Sequence, residues 1–484
     1  MTPRTLRLAL VPVLAFLATV SDRHYLADFW HHLARGRAIV EHGEMIDRDL
    51  FSCTVTGQPL QDLNWLTQVG YHLLFEAGGL ALVQVVNSLL IAATLGWLVL
   101  VCQRRTGSER AAVLAGAVAF FGVWEVLTIR PQTLSMLLFV GVYDLLERSE
   151  RRPWLLAAVP LLLALWANLH GAFPAGLILV GCFALAAAWG GLRSGRTRAL
   201  AACLAACVLA TLVNPYGWEV YRYVGGTSSV AYQRQIAEWV APRPDRLIGV
   251  VWLASVVGLF GLLAWRWARI RQLPQLCDAL LLGCFLAMSV GSVRMVAWWM
   301  LASAPVLAEL LAWRFAALTA PEADAGRRSW LAGAVAALAA LAVVFSLPGL
   351  ADQNPLLGAS RRGPRVEDDL AAVQRYVDAT GRPGNVYTHF EWGEYLSWAS
   401  GPRGRVFLDG RIEIYPDAVW DKYTDVTLAR PGWEAVLDEY RVQFLILDID
   451  LHGRSGLLEQ VSRSPRWHRA FASGPAVLFV RAGS

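Results

Sequence analysis

Residues 80–130 read LALVQVVNSLLIAATLGWLVLVCQRRTGSERAAVLAGAVAFFGVWEVLTIR. Two apolar blocks, 80–101 and 111–129, flank a short connection that holds Arg104, Arg105 and Arg110. An uncharged stretch of about 20 residues suffices to cross a bilayer as a helix, and only a helix or a closed barrel satisfies its own backbone there. The pattern recurs at 6–20, 131–146, 154–167, 172–190, 199–213, 247–265, 276–291, 295–317 and 330–347, which gives eleven candidate spans. Blocks as short as 154–167 and 199–213 must recruit polar neighbours or be surrounded by protein. The expected fold class is therefore a polytopic α-helical membrane protein.

Composition agrees. The 484 residues are 56% hydrophobic and 17% charged, whereas about a quarter of a soluble domain is charged. The net charge of +5 comes from arginine, Lys422 being the only lysine, and no arginine run is interleaved with aromatics as on nucleic-acid-binding surfaces. The seven cysteines form no CxxC motif and no disulfide framework.

Arginine placement orients the chain, because short cytoplasmic loops concentrate positive charge. With the N-terminus inside, the inner connections carry Arg4 and Arg7; Arg104, Arg105 and Arg110; Arg148, Arg151 and Arg152; Arg193, Arg196 and Arg198; Arg266, Arg269 and Arg271; and Arg314, Arg327 and Arg328. An odd number of spans places the C-terminal segment outside the cytoplasm. The sequence takes on a globular mixture after Leu347, so the expected division is a helical domain over 1–350, with a large first outer loop at 21–79, and an extracytoplasmic domain over 351–484. The first block also fits a cleavable signal peptide, which would leave the rest of the topology unchanged.

On this topology the costly polar residues collect at the outer side. Arg130, His170 and Arg294 stand at span ends, where burial demands a partner or a reach to the headgroups. In the first outer loop, helical spacing from Asp28 puts His32 and Arg35 on one face, so Asp28 is a candidate base and the alternative is an amphipathic helix lying on the membrane. Glu44, Asp47 and Asp49 offer oxygens that suit Mg2+ or Mn2+, or else form an acidic turn.

In the tail, 365–380 reads as an amphipathic helix. The segments NVYTH, RVFLDGR, VQFLILD and PAVLFVR read as strands alternating with helices near 417–429, 433–440 and 453–463. This pattern makes an α/β domain. Asp409 and Arg411 then fall at a strand's C-terminal edge, where open sheets bind ligands, joined by Glu391, Trp392 and Glu394; the alternative is a structural ion pair.

The motifs DFWHHLARGRAIVEHG (28–43), DLFSCTVTGQPL (49–60), WLTQV (65–69), RPQTLS (130–135), WANLHGAFPAG (166–176), LVNPYGWEVY (212–221), EW (238–239), NVYTHFEWGEYLSW (385–398) and VFLDGRIEIY (406–415) run through the chain. Together they resemble a bacterial branch of the GT-C superfamily of integral membrane glycosyltransferases, which take sugars from polyprenyl-phosphate donors. The resemblance implies Asp28 as catalytic base, with His32, Asp49, Arg130, Asn168, His170 and Asn214 at recurrent motif positions and Glu238 in the EW motif. It departs at Leu26, Leu63, Asn64 and Gln68, where such proteins carry ionisable groups.

The expected activity is transfer of a sugar from a polyprenyl-phosphate-linked donor to an extracytoplasmic glycan, lipid or protein acceptor, with inversion, in the bacterial inner membrane. Asp28 is the base with His32 beside it, and Arg130 and Arg294 bind the donor phosphate. Asp49, Asn168, His170, Asn214, Glu238, Trp392, Asp409 and Arg411 bind substrate. The expected partners are the bilayer, donor and acceptor, not nucleic acid; the sequence requires no cofactor, and Mg2+ or Mn2+ is the ion that the acidic loop would suit. A lipid-linked-sugar transporter or flippase and an inactive GT-C-like assembly subunit are the other readings.

Overall fold

The computed structural model describes residues 3–20, 27–233, 240–319, 329–350, 365–401, 404–411 and 414–483. Its contacts divide the chain into two compact units, Met1–Asp22 with Gly78–Gly358, and Arg23–Ala77 with Ala359–Ser484. The expected division puts the first outer loop with the helical domain, whereas the contacts group it with the tail. The chain passes between units inside the helix Trp65–Thr106, which breaks at Gly78 and Gly79. Gly79 has φ 63° and ψ −165°, a conformation that a side chain would strain.

In the first unit a helix runs through each of the eleven apolar blocks. They are Pro3–Val20, Trp65–Thr106 beyond its break, Glu109–Val123, Gln132–Arg148, Ala158–Leu169, Pro174–Gly190, Gly195–Ala210, Leu247–Ile270, Leu276–Gly291, Val296–Arg314 and Ser329–Val344. Among the described residues, three stretches, Trp65–Thr106, Leu247–Ile270 and Val293–Arg314, are long and apolar enough to cross a membrane by length and composition. The others are shorter. Leu161 and Trp189 are 72% and 85% exposed, an outward apolar face that suits lipid rather than water. Starts are marked locally: Ser108 and Ser194 cap Glu109–Val123 and Gly195–Ala210 by accepting from Ala111 N and Thr197 N.

Besides the polar residues expected to collect at the outer helix ends, the structure holds a second charged cluster. At the opposite end of the same helices, Arg105 is paired with Asp278, Glu147 at 3.1 Å and Glu309 at 3.0 Å, and Glu309 also takes Arg266 at 2.8 Å. Asp144 takes Arg104 at 2.6 Å, Arg148 at 3.2 Å and the Trp97 indole at 3.1 Å. The sequence shows these arginines as loop charges; their carboxylates sit up to 204 positions away and close the network only in three dimensions.

The second unit is built on a four-stranded sheet in the order β1-β2-β4-β3, with β1 Asn385–Thr388, β2 Val442–Asp448, β3 Trp467–Ser473 and β4 Ala476–Arg481. β1 and β2 are parallel; β4 is antiparallel to both β2 and β3. The strand expected over 405–411 is an extended segment in which Val406 bridges in parallel to Val386 on one side and to Ser52 on the other. Cys53 N donates to Val406 O at 2.8 Å and Val406 N to Phe51 O at 3.1 Å, so the loop residues 51–53 prolong the sheet. β3 was not expected. It is an edge strand whose exposed His468 and Arg469 blur the apolar alternation.

Helices cover this sheet. Val366–Ala379 carries Glu367, Asp368 and Asp369 in its first turn, and Asp368 accepts from Arg365 N at 3.0 Å. Its Leu370, Val373 and Val377 form the buried stripe. Ala27–His42 packs on Phe390–Ser400 through Trp30, whose ring centroid lies 4.9 Å from Tyr395 and 4.7 Å from Trp398.

Replacing Arg105 by Met leaves three carboxylates clustered without their shared cation, and is expected to cost about 3–5 kcal/mol of stability. Arg104→Met removes a half-exposed partner from Asp144, which keeps Arg148, so a change below ~1 kcal/mol is expected. Unfolding midpoints in detergent compare the two; equal losses contradict the ordering.

Candidate functional site

Helix Ala27–His42 sets out the first group of site residues. A membrane-surface helix would leave its polar face wet, but here Phe29, Trp30, Leu33, Ala38 and also His32 and Arg35 are buried. His32 Nδ1 meets Gln68 Nε2 at 3.0 Å, Gln68 donates to Asp62 at 2.9 Å, and Asp62 pairs with Arg35 at 2.8 Å. The two residues expected to share a face with Asp28 are thus engaged with the 62–68 segment.

Asp28 instead acts electrostatically on His31, Glu391 and Glu394. His31 Nδ1 stands 3.2 Å from Glu394 Oε2, and its ring is 4.0 Å from that of His32. Glu394 is 1% exposed. Burial, opposed by His31 and reinforced by Asp28 and Asp409, pushes its carboxyl up to about 7. For His31, burial works downward, but the Glu394 carboxylate outweighs it and the net direction is up.

Two glycines make room for Glu394. A Cβ on Gly410 would fall 1.7 Å from Glu394 Oε1, and one on Gly393 2.3 Å from Leu408 O. The segment 408–411 can therefore press against the helix Phe390–Ser400.

Behind Glu394 lies a saturated triad. Arg411 donates through Nε and Nη2 to Asp409 at 2.9 and 2.6 Å and through Nη1 to Asp49 at 2.6 Å. Asp49 also accepts from Ser52 N at 3.0 Å and Ser52 Oγ at 2.6 Å. All three side chains are at most 1% exposed. Against the burial penalty, Arg411 holds the Asp409 carboxyl below its ordinary range. These residues, expected to face substrate, are enclosed by one another. Trp392, expected as a sugar platform, is buried as well.

In the first unit, Trp166 Nε1 donates to Ser135 Oγ at 2.7 Å, and Ser135 Oγ and His170 Nδ1 are hydrogen-bonded at 2.8 Å. Arg294 lies within electrostatic reach of His170. Arg130 precedes the helix that carries Ser135, and both arginines are partly exposed. Asn168 Nδ2 donates to Ala164 O and Val213 O at 2.8 and 2.7 Å, tying a helix end to the next turn. Asn214 folds its own turn, accepting from Tyr216 N at 2.7 Å and donating to Thr211 O at 2.7 Å. Glu238 lies outside the described residues.

Among the described residues, no group of three or more His, Cys, Asp or Glu side chains is arranged to hold a metal ion. Asp49 is committed to Arg411 and Ser52. Sequence reading placed Glu394 near the tail's ligand edge but did not join it to His31; the signal available was an acid inside the apolar run FEWGEYLSW beside a doubled histidine in the loop.

No protein-family model matches the chain, and no curated protein matches it by sequence. Solved structures do. The oligosaccharyltransferase AglB of Archaeoglobus fulgidus, in complex with an inhibitory peptide and a dolichol-phosphate, aligns with a TM-score of 0.55 and 14% identity over 91% of this chain and 69% of that one. The mycobacterial arabinofuranosyltransferase AftD aligns at 0.57 and 16% identity over 99% of this chain and 42% of the other. ArnT of Cupriavidus metallidurans, in the apo state, aligns at 0.51 and 16% over 98% and 97%. All three are GT-C proteins, and the chain shares their fold: a helical bundle followed by a C-terminal sheet domain.

Asp49→Ala leaves Arg411 with one carboxylate and frees the Ser52 amide, so a loss of about 3–5 kcal/mol is expected. Hydrogen exchange should rise first in residues 49–60; unchanged protection there contradicts the tie. The His31–Glu394 pair gives a pH signature. Both groups bind protons more tightly folded than unfolded, so their contribution is fully present below the ordinary glutamate value of 4.5 and is lost as pH rises through about 7. The melting temperature should fall from pH 5 to 8 in wild type, and the slope should flatten in Glu394→Gln.

Proposed function

We propose that the protein is a multi-pass membrane glycosyltransferase of the GT-C type that moves a sugar from a polyprenyl-phosphate-linked donor to an extracytoplasmic acceptor. The likeness of fold to three GT-C transferases over 91% or more of the chain carries this reading. One of them, AglB, holds a dolichol-phosphate, which supports a lipid-linked donor here. The arginine distribution supports eleven spans, a cytoplasmic N-terminus and an external tail in a bacterial inner membrane.

Transfer from a lipid phosphate needs an acceptor hydroxyl deprotonated as it attacks and a leaving phosphate whose growing charge is met. Phosphate departs without an acid, so a single carboxylate and guanidinium groups suffice. Asp28 takes the acceptor's proton. Its position at the first turn of a buried helix, with His31 and Glu394 as electrostatic neighbours, supports that role. Arg130 and Arg294 receive the donor phosphate, with His170 beside Arg294. Attack in one displacement inverts the anomeric carbon. Asp49, Asp409 and Arg411 hold the loop to the tail, and Asn168 and Asn214 shape the turns that carry the binding residues.

Purified protein given a polyprenyl-phosphate sugar and acceptor extract tests this. Asp28→Asn should lower kcat by about 100-fold or more, the usual range for removing a general base. Arg294→Met should raise the donor KM more than it lowers kcat. Equal turnover in wild type and Asp28→Asn removes Asp28 from the base role.

A further inference from the structure

We infer that Gln68 is a positioning residue that holds His32 in one tautomer, with the ring proton on Nε2, so that His32 serves sugar transfer as a hydrogen-bond donor and leaves the acceptor's proton to Asp28. The inference deepens the proposed function and rests on it for the transfer step.

The tautomer follows from which atoms can donate. Gln68 Nε2 stands 2.9 Å from Asp62 Oδ1 and 3.0 Å from His32 Nδ1. Asp62 is the anion of an ion pair with Arg35, whose Nε lies 2.8 Å from Asp62 Oδ2. A carboxylate only accepts, so the nitrogen end of the Gln68 amide is the end turned to Asp62; with the amide reversed, two acceptor oxygens would meet there. The amide has two N–H groups, one for each contact, while its Oε1 has no partner among the described residues. Because an amide NH2 only donates, His32 Nδ1 accepts, and the ring proton sits on Nε2. Neither ring nitrogen then keeps a lone pair for a further proton. One is spent on Gln68 and the other carries hydrogen.

The surrounding chain fixes this contact. Gln68, His32, Arg35 and Asp62 are all buried. Gly36 lies about one turn beyond His32 on the same helix, and a Cβ there would fall 2.0 Å from Gln68 O. The missing side chain lets helix Ala27–His42 lie directly against the first turn of Trp65–Thr106. That turn is tied down in its own right: Gln68 N donates to Asn64 O at 2.9 Å, and Asn64 N donates to Asp62 Oδ1 at 3.1 Å. Asp28 stands four residues before His32, which puts the two on one face of their helix. In the transfer step the proton of the attacking hydroxyl passes to a carboxylate oxygen of Asp28. His32 directs Nε2–H at an oxygen and moves no proton.

Two measurements on the full chain in lipid nanodiscs test this. NMR of histidine labelled at the ring nitrogens, with His32 assigned among the nine histidines by its loss in His32→Gln, should show a bare Nδ1 and a protonated Nε2 at pH 7. Exchanging the partners, Asp62→Asn with Gln68→Glu, keeps the local charge and reverses the donation, so the ring proton should move to Nδ1. Gln68→Met removes the donor alone and should give both tautomers, which covers a double variant that fails to fold. In sugar transfer, His32→Gln keeps an N–H at similar reach and should turn over about tenfold faster than His32→Phe, which has none. A protonated Nδ1 in wild type, a ring proton unmoved by the exchange and by Gln68→Met, or equal kcat for His32→Gln and His32→Phe overturns the inference. A wild type with the expected tautomer that transfers no sugar overturns the transfer reading, while the hold of Gln68 on the ring stands.

Discussion

A guanidinium enclosed between two carboxylates organises the second unit. Arg411, Asp409 and Asp49 are withdrawn from water, and each ion carries a desolvation penalty of several kcal/mol that only close, multiply bonded partners offset. The offset exists in a single arrangement of chain, with loop residues near 49 beside tail residues near 410, separated by 362 positions in sequence. Neither segment can bury its share alone. Ordering of the loop is therefore tied to ordering of the tail, and the bridges of Val406 to Ser52 and Val386 result from bringing those backbones side by side.

The same triad fixes the electrostatics in front of it. Burial raises the Glu394 carboxyl first, His31 opposes it, and Asp28 and Asp409 add to it, so an acid buried to 1% exposure is pushed up to about 7. Gly410 belongs to this argument: the residue between the two charged ones must lack a side chain, or it would occupy the place of the Glu394 carboxyl. The DGR sequence thus reads as a neutraliser, a clearance and an anchor.

Legibility in the sequence depends on range. Apolar runs and arginine clusters are local, and the helices lie where those runs are, because hydrocarbon-length stretches have few ways to satisfy their backbone. Asp28 at the head of a helix was readable from spacing, since i+3 and i+4 neighbours are set by the helix itself. Spacing could not decide which neighbour Asp28 uses. His31 and His32 differ by a rotation of about 100°, and the choice depends on Gln68 and Glu394, which come from elsewhere. The Arg105 network escaped for the same reason, its carboxylates arriving from three other helices.

That network also explains why the two ends of the helical bundle differ. Where Arg105, Arg266 and Arg104 meet Asp278, Glu309 and Asp144, side chains of opposite charge close on one another. Such pairs lock helices together and leave little charge to offer a ligand. At the other end of the same helices the hydrogen bonds of His170 run through neutral Ser135 and Trp166, with Arg294 in reach. A relay of neutral hydrogen-bonding groups holds the ring in place.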